Sequence, residues 1–114
     1  MKLLIVEDDE DIQSLYKEQL GGDYEIIAAR TMGEAFELFG RHWRKLDAIV
    51  MDGLLNGLST VTLTRHIRAR FDKPVIANSN SDYHKKKLVE AGCQHWSPSK
   101  DKLENVVRGL RSLI

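Results

Sequence analysis

The sequence predicts an α/β fold, a doubly wound five-stranded parallel sheet covered by helices on both faces, with strand order 2-1-3-4-5. Three observations predict it. Short apolar runs alternate along the chain with stretches of helical spacing. The first, third and fourth runs are the most apolar, which suits central strands buried on both faces. The second and fifth are polar or short, which suits edges.

Leu3-Leu4-Ile5-Val6 is the first strand, a continuous apolar run. Ile12, Leu15, Tyr16 and Leu20 then follow the spacing of one helical face. Tyr24 to Ala28 reads as a second, more polar strand. Thr31 and Glu34 carry the spacing of a capping box, and Met32, Ala35, Phe36 and Phe39 form the apolar stripe of the helix it starts. Ala48-Ile49-Val50-Met51 is the third strand, and Leu63, Ile67 and Phe71 mark the third helix. Pro74 precedes the fourth strand, Val75-Ile76-Ala77. A helix expected from about Asp82 to Ala91 is stopped by Gly92. His95-Trp96 is a weak fifth strand. Asp101 and Glu104 suggest a further cap, and Leu103, Val106, Val107, Leu110 and Ile114 complete a last amphipathic helix.

The 114 residues fit one domain spanning 1–114, long enough to bury a core without staples. Formal net charge is zero, so nothing in the balance calls for nucleic acid or a membrane surface. The one cysteine, Cys93, excludes an internal disulfide and fits a reducing compartment; it reads as a small buried residue. No apolar run suits a signal peptide or a bilayer span, and a cytoplasmic location is expected. His42, His66, His84 and His95 lack metal-ligand spacing and read as surface or packing residues.

In this sheet order a ligand site lies beyond the carboxyl ends of the strands where the order reverses, here between the first and third strands. The first strand ends in Glu7-Asp8-Asp9 and the third in Asp52. Carboxylates gathered in one cleft repel each other. They either remain solvated or take a hard cation, and oxygen ligands of this kind suit Mg²⁺. An aspartate with a cation beside it can also accept a phosphoryl group.

These stretches resemble the receiver domains of two-component response regulators, which share the flavodoxin-like three-layer fold. The resemblance covers nearly the whole chain. LLIVEDDED is similar to the family's first strand and acidic pocket, DAIVMD to the third strand, PVIANS to the fourth, and EAGCQHW to the approach to the fifth. By that likeness Asp52 falls on the phosphoacceptor. Glu7 and Asp8 take the acidic-pair positions, with Asp8 the direct Mg²⁺ ligand in preference to Asp9. The backbone carbonyl of Leu54 becomes the remaining protein ligand for the metal. Ser79 falls on the switch hydroxyl and Trp96 on the switch aromatic.

The pattern breaks in three places. The loop after Asp52 reads GLLNGLST and lacks the Pro usual near Asn56, where Gly57 is expected to supply the turn. The stretch from Ser79 to Gly92 is shorter than usual. At the end of the fifth strand, where the family carries Lys-Pro, this chain reads Trp96-Ser97-Pro98-Ser99-Lys100. Counting from Gly92 puts Ser99 at the Lys position, and Lys100 replaces it if a bulge or the nearby Pro98 rotates it inward.

The resemblance implies a phosphorelay receiver in bacterial signalling. A sensor histidine kinase or phosphotransfer protein would donate to Asp52 with Mg²⁺, and a downstream protein would bind the switched surface. Any enzymatic activity would be confined to self-phosphorylation from a donor and self-dephosphorylation. His84-Lys85-Lys86-Lys87 and the basic residues near the last helix lie on the family's usual partner and dimer face, which also allows a weak homodimer. The alternative is a degenerate receiver that binds partners without phosphorylation. A flavin protein of similar topology is disfavoured, since Glu7-Asp8-Asp9 would repel a cofactor phosphate and no P-loop motif is present.

Overall fold

Successive residues of β1 (Lys2–Val6) face opposite layers of the molecule. Leu3 and Ile5 pack with Tyr16, Leu20, Leu103 and Val107 on one side. Leu4 and Val6 pack with Phe39, Leu63, Ile67 and Leu88 on the other. Both sides of the strand are therefore covered, which is why it reads as continuously apolar. The computed structural model describes residues 1–96 and 103–111.

After β1 come α1 (Glu10–Leu20), β2 (Glu25–Ala29), α2 (Met32–His42) and β3 (Ala48–Met51). Two short strands follow, β4 (Leu54–Leu55) and β5 (Leu58–Ser59), then α3 (Val61–Arg68) and β6 (Val75–Ala77). The chain continues through α4 (Asp82–Ala91), β7 (His95–Trp96) and α5 (Leu103–Arg111). The main sheet is five-stranded and parallel, in the order β2-β1-β3-β6-β7. That is the expected 2-1-3-4-5 order, with the weak second and fifth runs at the edges.

Local details depart from expectation for identifiable reasons. β2 starts one residue late, because the Tyr24 N–H donates to the Leu20 carbonyl at 2.9 Å and closes the end of α1. The third helix ends at Arg68, yet Phe71 remains buried, held by a turn in which its N–H donates to the Ile67 carbonyl at 2.9 Å. Thr31 does cap α2, its hydroxyl accepting from the Glu34 N–H at 3.1 Å. The return bond of that capping box goes instead to Arg30, whose N–H donates to Glu34 Oε1 at 3.2 Å.

The loop after Asp52 contains an element the sequence reading missed. β4 and β5 form a two-residue antiparallel hairpin, with Leu54 opposite Ser59 and Leu55 opposite Leu58. Asn56 and Gly57 both have left-handed φ, 51° and 80°. This is the Asn-Gly turn that tight hairpins favour. Gly57 supplies the turn as expected, but Asn56 shares the work.

Candidate functional site

Three backbone hydrogen bonds extend the sheet one step beyond its strands. The Glu7 N–H donates to the Ala29 carbonyl at 3.0 Å, the Asp52 N–H to Val6 at 3.0 Å, and the Asn78 N–H to Met51 at 2.8 Å. The residues that follow β1, β3 and β6 are thereby drawn into one row at the switch point. Gln13 of α1 reinforces the row from beneath. Its buried amide donates toward the carbonyls of Ile5, Glu7 and Ala29, at 3.0, 3.1 and 3.4 Å.

The result is a convergence of acid. Ligand oxygens of Glu7, Asp8 and Asp52 all lie within 4.8 Å of one another. Glu7 and Asp52 are buried, at 1% and 5% exposure, and Asp8 is half-buried. Such a set of hard oxygen donors fits a divalent cation. Asp9 is not part of it. Its carboxylate caps α1, accepting from the N–H groups of Asp11 and Ile12 at 2.8 and 3.2 Å.

Above Asp52 opens a cleft of about 390 Å³. Asp8, Asp52 and Leu54 line it from the loops after β1 and β3, and Ser79, Ser81 and His84 from the turn into α4. Ser79 is buried at 5% exposure, and its Oγ accepts from the Ser81 N–H at 3.2 Å. Ser81 then caps α4, its own Oγ accepting from the His84 N–H at 3.4 Å. A short hydrogen-bonded path thus joins the Ser79 hydroxyl to the first turn of α4.

No family model matches the sequence. A curated relative, the uncharacterized transcriptional regulatory protein YrkP of Bacillus subtilis (strain 168), is 33% identical over 76 residues, 66% of this chain and 32% of that protein. The chain therefore spans about a third of the curated relative it matches. The BeF3-activated N-terminal receiver domain of Klebsiella pneumoniae RstA superposes with a TM-score of 0.81 at 25% identity, covering 99% of this chain and 97% of that one. The chain shares the fold of response-regulator receiver domains and resembles them in sequence. The receiver domain of the Francisella response regulator 1452 agrees, with a TM-score of 0.79 at 25% identity over 98% of this chain and 97% of the other.

The sequence reading located Glu7, Asp8, Asp52, Leu54 and Ser79, and the fold brings all five to one end of the sheet. Lys100 and Ser99 lie outside the described residues, as does the side chain of Trp96. His84, read as a surface or packing residue, is half-buried and also lines the cleft beside Asp52. Its spacing carries no metal motif, and only the Ser81 cap, which sets the start of α4, turns it toward the site. Two other contributors were missed. The Asn56 N–H donates to Asp8 Oδ2 at 2.9 Å, and the Asn56 side-chain amide donates to the Arg30 carbonyl at 3.1 Å. Beneath the site, the Asn78 amide donates to the Tyr16 hydroxyl, both buried.

Proposed function

We propose that this receiver domain accepts a phosphoryl group on Asp52 from a phosphohistidine of a sensor kinase or phosphotransfer protein, with Mg²⁺ held by Glu7, Asp8, Asp52 and the Leu54 carbonyl. The observation that carries the reading is the convergence of the three carboxylates within 4.8 Å beneath a cleft that Ser79 also lines. Mg²⁺, when bound, supplies positive charge against the negative charge of the transferred group.

The transfer itself asks little of the protein beyond positioning. An Asp52 carboxylate oxygen forms a bond to phosphorus as the bond from phosphorus to the donor imidazole nitrogen breaks. The electron pair stays on that nitrogen, which takes up a proton. Reversal to the resting state requires water to attack phosphorus, releasing inorganic phosphate and restoring the carboxylate. The Ser79 hydroxyl has a proton to donate to a phosphoryl oxygen while its oxygen keeps the Ser81 N–H. A shift of that hydroxyl would therefore be felt at Ser81 and at the start of α4. α4 exposes Tyr83 and Val89 among lysines, a face suited to a downstream protein partner.

The test supplies acetyl phosphate and Mg²⁺ and follows intact mass and backbone amide shifts. The expected result is a mass gain of one phosphoryl group that Asp52→Asn abolishes. No Asp52-dependent gain with any donor would falsify the reading. The register that leaves Ser99 at the usual Lys position favours a second reading, a phosphorylation-independent binding module. In that case Asp52→Ala leaves partner binding intact.

A further inference from the structure

We infer that His84 is a phosphoryl-contacting residue of this site, its imidazole donating an N–H to an oxygen of the group carried by Asp52. The inference rests on the acceptor role proposed for Asp52. Two independent observations point to it. First, His84 lines the same cleft as Asp52 and Ser79. Glu7, Asp8 and Asp52 crowd the floor of the site with negative charge. Among the described residues lining the cleft, His84 is the one side chain able to carry positive charge. A neutral imidazole still keeps one N–H, so a donor is present in either protonation state.

Second, the residue after the acceptor is shaped around His84. Gly53 does not have positive φ, so its backbone does not demand glycine. Space does. A Cβ at position 53 would lie 2.5 Å from His84 Cβ and 3.1 Å from His84 Cγ. It would also sit 3.5 Å from Ser79 Oγ. A side chain at 53 would force the His84 stem and the peptide after Asp52 apart, and glycine leaves room for the two to meet. Ser81 completes the arrangement by accepting the His84 N–H at 3.4 Å, which fixes the helical position from which the ring projects. The neighbouring Tyr83 ring stands edge-on, with centroids 5.3 Å apart.

The experiment uses beryllofluoride with Mg²⁺ on the intact chain carrying ¹⁵N-labelled histidine. The His84 ring resonance is expected to shift on beryllofluoride addition, while those of His42 and His66 stay in place. Loss of a hydrogen bond to a charged group should make His84→Ala bind beryllofluoride at least about tenfold more weakly, with His84→Gln, which keeps an N–H, falling between the two. Gly53→Ala should weaken binding in the same direction by displacing the ring. A His84 resonance that does not respond, or a His84→Ala protein that binds as tightly as wild type, overturns the inference and leaves Asp52 as acceptor. If wild type and Asp52→Asn are equally blind to beryllofluoride, the acceptor reading fails and this inference falls with it. Should His84→Ala not fold, the wild-type resonance and His84→Gln decide the matter.

Discussion

The backbone N–H of Asn56 donates to Asp8 Oδ2 at 2.9 Å, tying the hairpin turn after β3 to the end of β1. The donor exists because the Pro usual in receiver domains is absent here. A proline has no N–H, and its φ near −65° is far from the 51° of Asn56. The departure from the family pattern therefore supplies a contact to the acidic cluster.

Asn56→Pro, though it restores the familiar residue, is expected to weaken Mg²⁺ binding by about fivefold, the worth of roughly 1 kcal/mol in one hydrogen bond. Asn56→Gly keeps the N–H and tolerates the backbone angle, so it should bind Mg²⁺ nearly as wild type. Calorimetric titration of the two variants separates them. Equal affinities would remove Asn56 from the site.

Ser79→Ala is expected to take up phosphoryl from acetyl phosphate yet fail to pass the event to α4. Mass spectrometry reads the first, and the amide shifts of Tyr83 and Lys86 read the second. The reason is the path from Ser79 Oγ through the Ser81 N–H and Ser81 Oγ to the His84 N–H. Full α4 shifts in Ser79→Ala would show that another route carries the signal.

Tyr16→Phe is expected to destabilise the fold by about 1–3 kcal/mol, because the buried Asn78 amide loses its phenolic acceptor. Urea unfolding measures it. The paired change Tyr16→Phe with Asn78→Leu should recover much of the loss, since no polar group then remains unmatched at that contact. If the double variant is no more stable than the single one, the hydrogen bond is not the cause.

Burial pushes the Cys93 thiol up to about 12 from its ordinary 9.0, with Arg68 pulling the other way. The unfolded thiol ionises first, so its contribution to stability is complete below the unfolded value and declines as pH rises toward the folded one. The decline runs at about 1.4 kcal/mol per pH unit across that window. Other groups titrate there too, so the quantity to follow is wild type minus Cys93→Ala. That difference should shrink as pH rises above about 9, and a constant difference would contradict the assignment.

The layering and strand order were legible because buried parallel strands need apolar residues on both faces, and Leu3–Val6, Ala48–Met51 and Val75–Ala77 have them. The carboxylates were legible because each follows a strand, where the ladder's last hydrogen bonds fix its place. His84 was not, since its aim depends on where Ser81 starts α4, and the residue type alone says nothing of direction. The bond between Asn56 and Asp8 joins positions 48 apart through a backbone N–H, a group every residue but proline owns. The hairpin was half legible. Asn56-Gly57 is a strong turn pair, but its flanking strands are too short to show alternation.

Gln13 has two amide hydrogens and three carbonyl neighbours, one each from the ends of β1 and β2 and one from Glu7. It must share them, so no one of these segments can retreat without disturbing the bonds of the others. The carboxylate side of the cleft is thus a fixed jaw, welded to α1. The opposite jaw, from Ser79 to His84, takes none of the Gln13 bonds and is ordered instead by its own Ser79 and Ser81 hydroxyls.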